Sequence, residues 1–307
     1  MNIPNDLLLN VIEYSGNSNY IFSIVNKNYL EIYSNKYKNK TTNIRKNLSI
    51  NCLKFAVNNK YKLNKYITNI VTINGNLECL KYLHENNCHW NADTCYYAAK
   101  YGHLDCLKYL HENNCPWNIC TCNTAAENGH LKCLQYAHEN NCPWDTFTCS
   151  YAVISGHLHC LKYLHKNNCL SNINTCSIAA KVGHIECLKY LHENNCLWDE
   201  TTCSKAALNN NLKCLKYAHE NNCPWNEHTC SNAAMNGHLE CLKYAHQNKC
   251  PWDANTCSDA AMNGHLECLK YAHENKCPWT ANAYNLAVFN NHVKCLEYLQ
   301  ANNCPQQ

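Results

Sequence analysis

The chain repeats itself on a fixed step. Tyr82, Tyr109, Tyr136, Tyr163, Tyr190, Tyr217, Tyr244, Tyr271 and Tyr298 stand 27 residues apart without a slip. The cysteines keep the same step on three ladders, Cys52 to Cys295, Cys88 to Cys304 and Cys95 to Cys257. These ladders hold 26 of the 27 cysteines and leave only Cys120 outside. All seven tryptophans fall on a further ladder from Trp90 to Trp279, with Ser171 in its single gap. A strict period of this length restricts the chain to architectures in which each unit stacks on its neighbours to make one continuous core.

A typical unit reads WNEHTCSNAAMNGHLECLKYAHQNKCP and parses into two helices. Asn226, or Asp145, Asp199 and Asp253 in other copies, stands where an N-cap is wanted, with Thr three residues on. Cys230, Ala233 and Ala234 then form a small-residue stripe at i, i+3, i+4, which lets a neighbouring helix approach closely. Gly237 follows at a position suited to a left-handed turn. The second helix carries His238, Cys241, Leu242 and Ala245 on one face and Glu240 and Lys243 on the other. Asn248 and the residue after it close that helix, and Pro251 cannot continue it. Helices this short are marginal alone, so their stripes must be buried against neighbouring copies. Each junction Trp would add ~2–3 kcal/mol if mostly buried.

The net charge of +3 gives no strong attraction toward a polyanion. The opening MNIPNDLLLN has no basic run before an apolar core and does not read as a signal peptide. No stretch approaches the roughly 18 apolar residues of a membrane span. The expectation is a cytoplasmic monomer without membrane contact, in a reducing compartment where free cysteines act as small buried hydrophobes. The excess of Asn and Lys is read as a base-composition effect.

Cysteine and histidine together raise a metal reading, because His103 and Cys106 share a helix face at i, i+3 and the pair recurs. Paired CxxC spacing is missing, and stacked identical zinc sites would be unusual. The expectation is that His103 and its copies bridge backbone groups across turns while Cys106 fills the core, with no metal and no cofactor. Catalysis by Cys and His is disfavoured because nearly every such residue is periodic, whereas a catalytic site is one special arrangement. Cys120, His89, His159 and His228 are the exceptions. No HExxH, G-x-S-x-G or phosphate loop occurs, so no enzyme is expected. The Tyr109 ladder could stack RNA bases, but an unvarying Tyr makes a poor code, and packing between second helices is favoured.

The segment AAxNGHLECLKYL resembles the AAxxGHLEVVKLLL signature of ankyrin repeats over about half of each unit, and it recurs nine times. Three departures stand out: a unit of 27 residues where 33 is usual, no TPLH start, and the loss falling where ankyrin repeats project a β-hairpin. The unit is similar to the short CPW-type repeat of giant amoeba viruses and some protists; a viral source would make the location the host cytoplasm. The resemblance implies an all-α helical-repeat solenoid over 47–307, with the hairpin cut down to a tight loop. It also implies that first helices and the loops before them line a concave partner surface.

Comparison of the copies within this one chain shows where that surface varies. The two residues after each first-helix cysteine differ, as do the loop residues before it. The varying positions are expected to face solvent and a protein client: Tyr96, Tyr97, Asn123, Thr124, Phe147, Tyr151, Ile178, Lys205, Glu227, His228, Asn232 and Asp259.

Residues 1–46 are similar to an F-box. IPNDLLLNVIEYS and then YIFSIVNKNYLEIY follow its pattern at Pro4, Leu7, Leu8, Ile12, Ser23, Val25, Lys27 and Tyr29, and depart from it at Ser15 and in having Tyr29 where Trp is common. The resemblance implies docking of a Skp-type linker of a cullin ubiquitin ligase through Pro4, Leu7, Leu8, Ile12, Val25 and Tyr29. The alternative is a helical cap, which the array needs in any case. Ten basic residues between Lys27 and Lys65 face only Glu31, and they read as a solvated linker. The leading expectation is a substrate adaptor for a ubiquitin ligase; the rivals are a plain interaction scaffold and, with nucleic acid disfavoured, an RNA-binding array.

Overall fold

The computed structural model describes residues 49–58, 63, 65–169 and 174–306. The F-box-like segment with Pro4, Leu7, Leu8, Ile12, Val25 and Tyr29 lies outside the described residues, as does the basic run up to Lys46. The described chain is all-α, with nineteen helices of nine residues each and no strand. It divides into two compact units, Met1–Trp144 and Asp145–Gln307, a boundary inside the array expected over 47–307.

The first unit holds α1 (Ile50–Asn58), α2 (Lys65–Ile73), α3 (Leu77–Glu85), α4 (Ala92–Lys100), α5 (Leu104–Glu112), α6 (Ile119–Glu127) and α7 (Leu131–Glu139). The second holds α8 (Thr146–Ile154), α9 (Leu158–Lys166), α10 (Asn174–Val182), α11 (Ile185–Glu193), α12 (Glu200–Leu208), α13 (Leu212–Glu220), α14 (Glu227–Met235), α15 (Leu239–Gln247), α16 (Ala254–Met262), α17 (Leu266–Glu274), α18 (Ala281–Phe289) and α19 (Val293–Ala301). From α2 onward the even-numbered helices of the first unit, and all even-numbered helices of the second, are first helices. Their partners are second helices. Among the described residues the link from a second helix to the next first helix is typically a six-residue loop without a hairpin, as at 113–118.

Each helix starts and stops for reasons visible in its own residues. Asp145 accepts from the backbone N–H groups of Phe147 and Thr148 at 2.9 and 3.3 Å, and Thr148 Oγ1 accepts from Asp145 N at 3.2 Å, a closed capping box on α8. Both helix types end in a left-handed residue with two reverse hydrogen bonds. After α4, Gly102 (φ 74°) donates to Ala99 O and His103 N to Ala98 O. After α5, Asn114 (φ 62°) donates to His111 O and Cys115 N to Leu110 O. The preceding Asn113 adds its side-chain amide to Tyr109 O at 2.8 Å. The repeated Asn pairs are therefore structural, which corrects the base-composition reading at these positions.

The left-handed position after most first helices is glycine, and a side chain of the next repeat lies directly over it. A methyl on Gly102 would meet the ring of His130, one repeat on, at 2.5–2.9 Å. Gly156 lies under His184, and Gly183 under Asn211, in the same way. His130 Nε2 reaches Lys100 O at 3.1 Å and His103 Nε2 reaches Ile73 O at 3.0 Å, so this histidine ladder bridges backbone between repeats as the sequence suggested. Where Asn211 replaces His, its amide donates to Lys181 O at 2.7 Å and Ala180 O at 2.9 Å.

First helices pack far more closely on one another than second helices do. The small stripe explains it, since Cys95, Ala98 and Ala99, with Cys203, Ala206 and Ala207 in the second unit, are fully buried. Second helices contribute Cys106, Leu107 and Leu110 to the same core. The described cysteines are free thiols, and all but Cys120 and Cys196 are buried. They also hydrogen-bond in sequence. Cys149 Sγ donates to Cys169 Sγ at 3.1 Å, and Cys169 Sγ to Asp145 O at 3.1 Å, tying a first helix to the loop that closes its own repeat. Cys115, Cys142, Cys223, Cys250 and Cys277 make the same bond to the N-cap carbonyl at 3.3 Å.

Gly102→Ala should lower stability by roughly 1–3 kcal/mol, because it adds left-handed strain to a clash with a ring. Asn210 (φ 60°) holds the same register without glycine, so Asn210→Gly should be neutral or stabilising. Urea unfolding of both variants reads the contrast.

Candidate functional site

On most first helices the second, sixth and ninth positions share one face, and on α10, which begins one residue later in the repeat, the equivalents are the first, fifth and eighth. Apart from Thr124 they carry side chains that packing does not fully consume. In the second unit this face bears Phe147, Tyr151 and Ile154 on α8, and Asn174, Ile178 and Lys181 on α10. It continues with Lys205 and Leu208 on α12, His228, Asn232 and Met235 on α14, and Asp259 and Met262 on α16. Phe147 is 59% exposed, and Tyr151, Ile154 and Met262 are exposed as well. His228 is exposed, while Ile178, Lys205, Glu227, Asn232 and Asp259 are half-buried. In the first unit Tyr96, Tyr97 and Asn123 are half-buried; Tyr96 and Tyr97 meet edge to face at 5.2 Å, and Lys100 lies over the Tyr96 ring.

Two expectations are corrected. Thr124, expected to face solvent, is only 2% exposed and lies inside the stack. Where a serine directly follows the first-helix cysteine it is also a packing position, for Ser150, Ser177, Ser204, Ser231 and Ser258 are all buried. Ser177 and Ser258 bond back to carbonyls of their own helices at 2.9 Å, so a short hydroxyl satisfies itself there and needs no solvent. The ninth position was missed by sequence reasoning. Its signal was present in the differences among Lys100, Glu127, Ile154, Lys181, Leu208, Met235 and Met262.

The second-helix side is occupied by its own chemistry. His111 stacks on Trp117 at 4.0 Å, and its Nδ1 pairs with the Tyr136 hydroxyl of the next repeat at 3.0 Å. Tyr136 meets Trp117 edge-on at 6.2 Å, and Lys108 lies over the Tyr136 ring at 5.7 Å. His192 with Trp198 and Tyr217, and His246 with Trp252 and Tyr271, repeat the arrangement. The tyrosine ladder thus packs second helices together, and its hydroxyls and edges are taken.

No group of three or more His, Cys, Asp or Glu side chains converges as a metal site requires among the described residues. Burial pushes the thiols of Cys106 and Cys133 up to about 12 and about 11, which holds them neutral and poorly nucleophilic. Burial likewise raises the Asp259 carboxyl, with Asp253 adding to the rise and His228 opposing it. No described helix is long and apolar enough to cross a membrane.

Family models for ankyrin repeats match this chain at residues 96–175, as three copies, and at residues 230–271, as many copies. These two segments are similar to ankyrin repeats. Ankyrin repeats are typically non-catalytic scaffolds for protein–protein interaction. The ankyrin repeat domain of human ASB11 aligns with a TM-score of 0.45 and 18% identity, over 51% of this chain and 84% of that one. Among curated proteins, none matches.

Desolvation lowers the imidazoles of His130 and His265 below the ordinary value, with neighbouring histidines adding to the effect and a backbone hydrogen bond opposing it. It also lowers His138 and His246. A depressed histidine stays neutral in the fold while the unfolded chain takes up a proton near its ordinary value of about 6.5. Stability should be complete above that value and fall as pH drops through it. Melting temperatures between pH 7.5 and 5 should show the fall. It should be shallower in His130→Asn/His265→Asn, because Asn211 already fills that register.

Proposed function

We propose that the chain is a protein-binding scaffold whose first-helix face receives a protein client. The observation that carries this reading is the contrast between faces. The second-helix side repeats one set of locked contacts, whereas the corresponding face positions of the first helices change from copy to copy and, Thr124 apart, keep their side chains at least partly accessible. A surface free of packing duties can be tuned to a partner without cost to the core.

The finer form of the proposal is a substrate adaptor. Its support is the F-box-like pattern at Pro4, Leu7, Leu8, Ile12, Val25 and Tyr29, placed ahead of the array, with a Skp-type linker as the second partner. A reducing location such as the cytoplasm fits the many free thiols. The shape of the tyrosine ladder favours packing over RNA stacking, since its hydroxyls already bond to histidines.

A client isolated with the full chain should bind at least about tenfold more weakly when Tyr151, Lys205 or Asp259 is changed to Ala, each such loss being ~1.4 kcal/mol. It should bind unchanged when Lys132 or Lys213, exposed on second helices, is changed. Titration by calorimetry decides, and the opposite pattern removes the reading. Retention of a Skp-type protein by the full chain should disappear in Leu7→Ala/Leu8→Ala; retention that persists, or none at all, removes the adaptor form alone.

A further inference from the structure

The first-helix face of the second unit is uneven. A cleft of about 220 Å³ opens between α8 and α10, walled by Phe147, Tyr151, Ile154 and Ile178, with Ser150 and Asn174 in its lining. No other stretch of that face gathers so many bulky apolar side chains. The same register carries Thr201 and Lys205 on α12, His228 and Asn232 on α14, and Asn255 and Asp259 on α16.

Ser150 supplies the second observation. It is 4% exposed, and its Oγ has no hydrogen-bond partner. Three of its counterparts do better. Ser177 donates to Asn174 O and accepts from Lys205 Nζ at 3.3 Å, while Ser204 donates to Thr201 O and Ser258 to Ala254 O. The neighbour that would serve Ser150 as Lys205 serves Ser177 is Ile178, which has no polar atom. A buried hydroxyl without a partner costs free energy, so a ligand that reaches it gains a bond the protein alone does not make.

Charge adds the third element. Lys181 is exposed on α10, one of the two helices that form the cleft, and Lys205 is half-buried on α12, the next first helix. The nearest acid on those elements, Glu200, sits five residues before Lys205 at the start of α12. Packed helices stand 8–10 Å apart and an extended chain advances about 3.3 Å per residue, so a strand crossing from the cleft meets the lysines after roughly three or four positions.

Resting on the reading of the first-helix face as the client surface, we propose that this cleft takes a Tyr or Trp side chain from an extended segment of a partner protein that carries Asp or Glu three or four positions away. The ring fills the apolar walls. Its O–H or N–H tip meets Ser150 Oγ, because these two rings combine an apolar body with a group that needs a partner when buried. The acid pairs with Lys181 and Lys205.

Selection of a random 12-residue peptide library displayed on phage, against the full chain, tests the assignment. The expected outcome is enrichment of Tyr or Trp with an acid at that spacing. A synthetic peptide of the enriched sequence should bind about tenfold more weakly to Phe147→Ser and to Lys205→Glu. Ser150→Ala should erase the preference for Tyr over Phe while leaving the melting temperature unchanged or raised, since it removes an unpaired buried hydroxyl. An empty selection, basic or purely aliphatic consensus sequences, or a Tyr preference that survives Ser150→Ala would overturn it. Peptides that ignore Phe147→Ser but need Asn232 and Asp259 would overturn the cleft and leave the face standing. Peptides indifferent to all these variants would remove both.

Discussion

A nine-residue helix does not hold itself together in water, and every feature of this chain follows from that. The fold supplies what each helix lacks from the copy beside it. A histidine ring from one repeat lies on the glycine of the repeat before it and bonds to a carbonyl 30 residues back. A tyrosine hydroxyl reaches a histidine 25 residues back. A thiol pair 20 residues apart ties each repeat to its own closing loop. None of these bonds reaches beyond the adjacent repeat within its unit, so the core grows by repeating a single interface. The fixed residues on the ladders are the parts of that interface.

This division of labour decides what the variable residues can do. Once Cys, Ala, Leu, His, Trp and Tyr are committed, each unit keeps one face on which a side chain can change without disturbing the stack. Burial keeps the Cys106 and Cys133 thiols neutral, which argues against reading them as reactive groups, and the occupied tyrosine edges argue against reading the tyrosines as base platforms. What remains for the proposed recognition of a client is the face of the first helices. In the second unit it runs from apolar at α8 and α10, through basic at Lys181 and Lys205, to acidic at Asp259. Such a gradient sets register and direction for a partner as well as affinity.

Much of this was legible in the residues. The step of 27, the Asx–Thr starts, the Gly237 turn and the solvated Glu240–Lys243 pair, which bond at 3.0 Å, all appear where periodicity put them. Burial of the fifth-position serines and of Thr124 was not legible, because variation among copies was taken as a sign of exposure. A small hydroxyl can vary and still be buried, since it bonds within its own helix, as Ser177 and Ser258 do. The partnership of His111 with Trp117 and Tyr136 was hidden for a different reason: its members sit on separate segments that only folding brings together. The Asn pairs looked like composition because their task, a left-handed turn with a side-chain clasp, leaves no mark on hydrophobic pattern.

The ring-on-glycine contact has a genealogical consequence. Because the lower surface of one repeat and the upper surface of the next are written in nearly the same residues, excising a whole 27-residue stretch inside one unit brings together two surfaces that already fit. Loss or duplication of such cassettes by recombination between near-identical coding segments would leave the lattice sound. It would reshuffle the order of face residues in a single step, so a lineage carrying this design can acquire new binding specificities by rearranging its repeats.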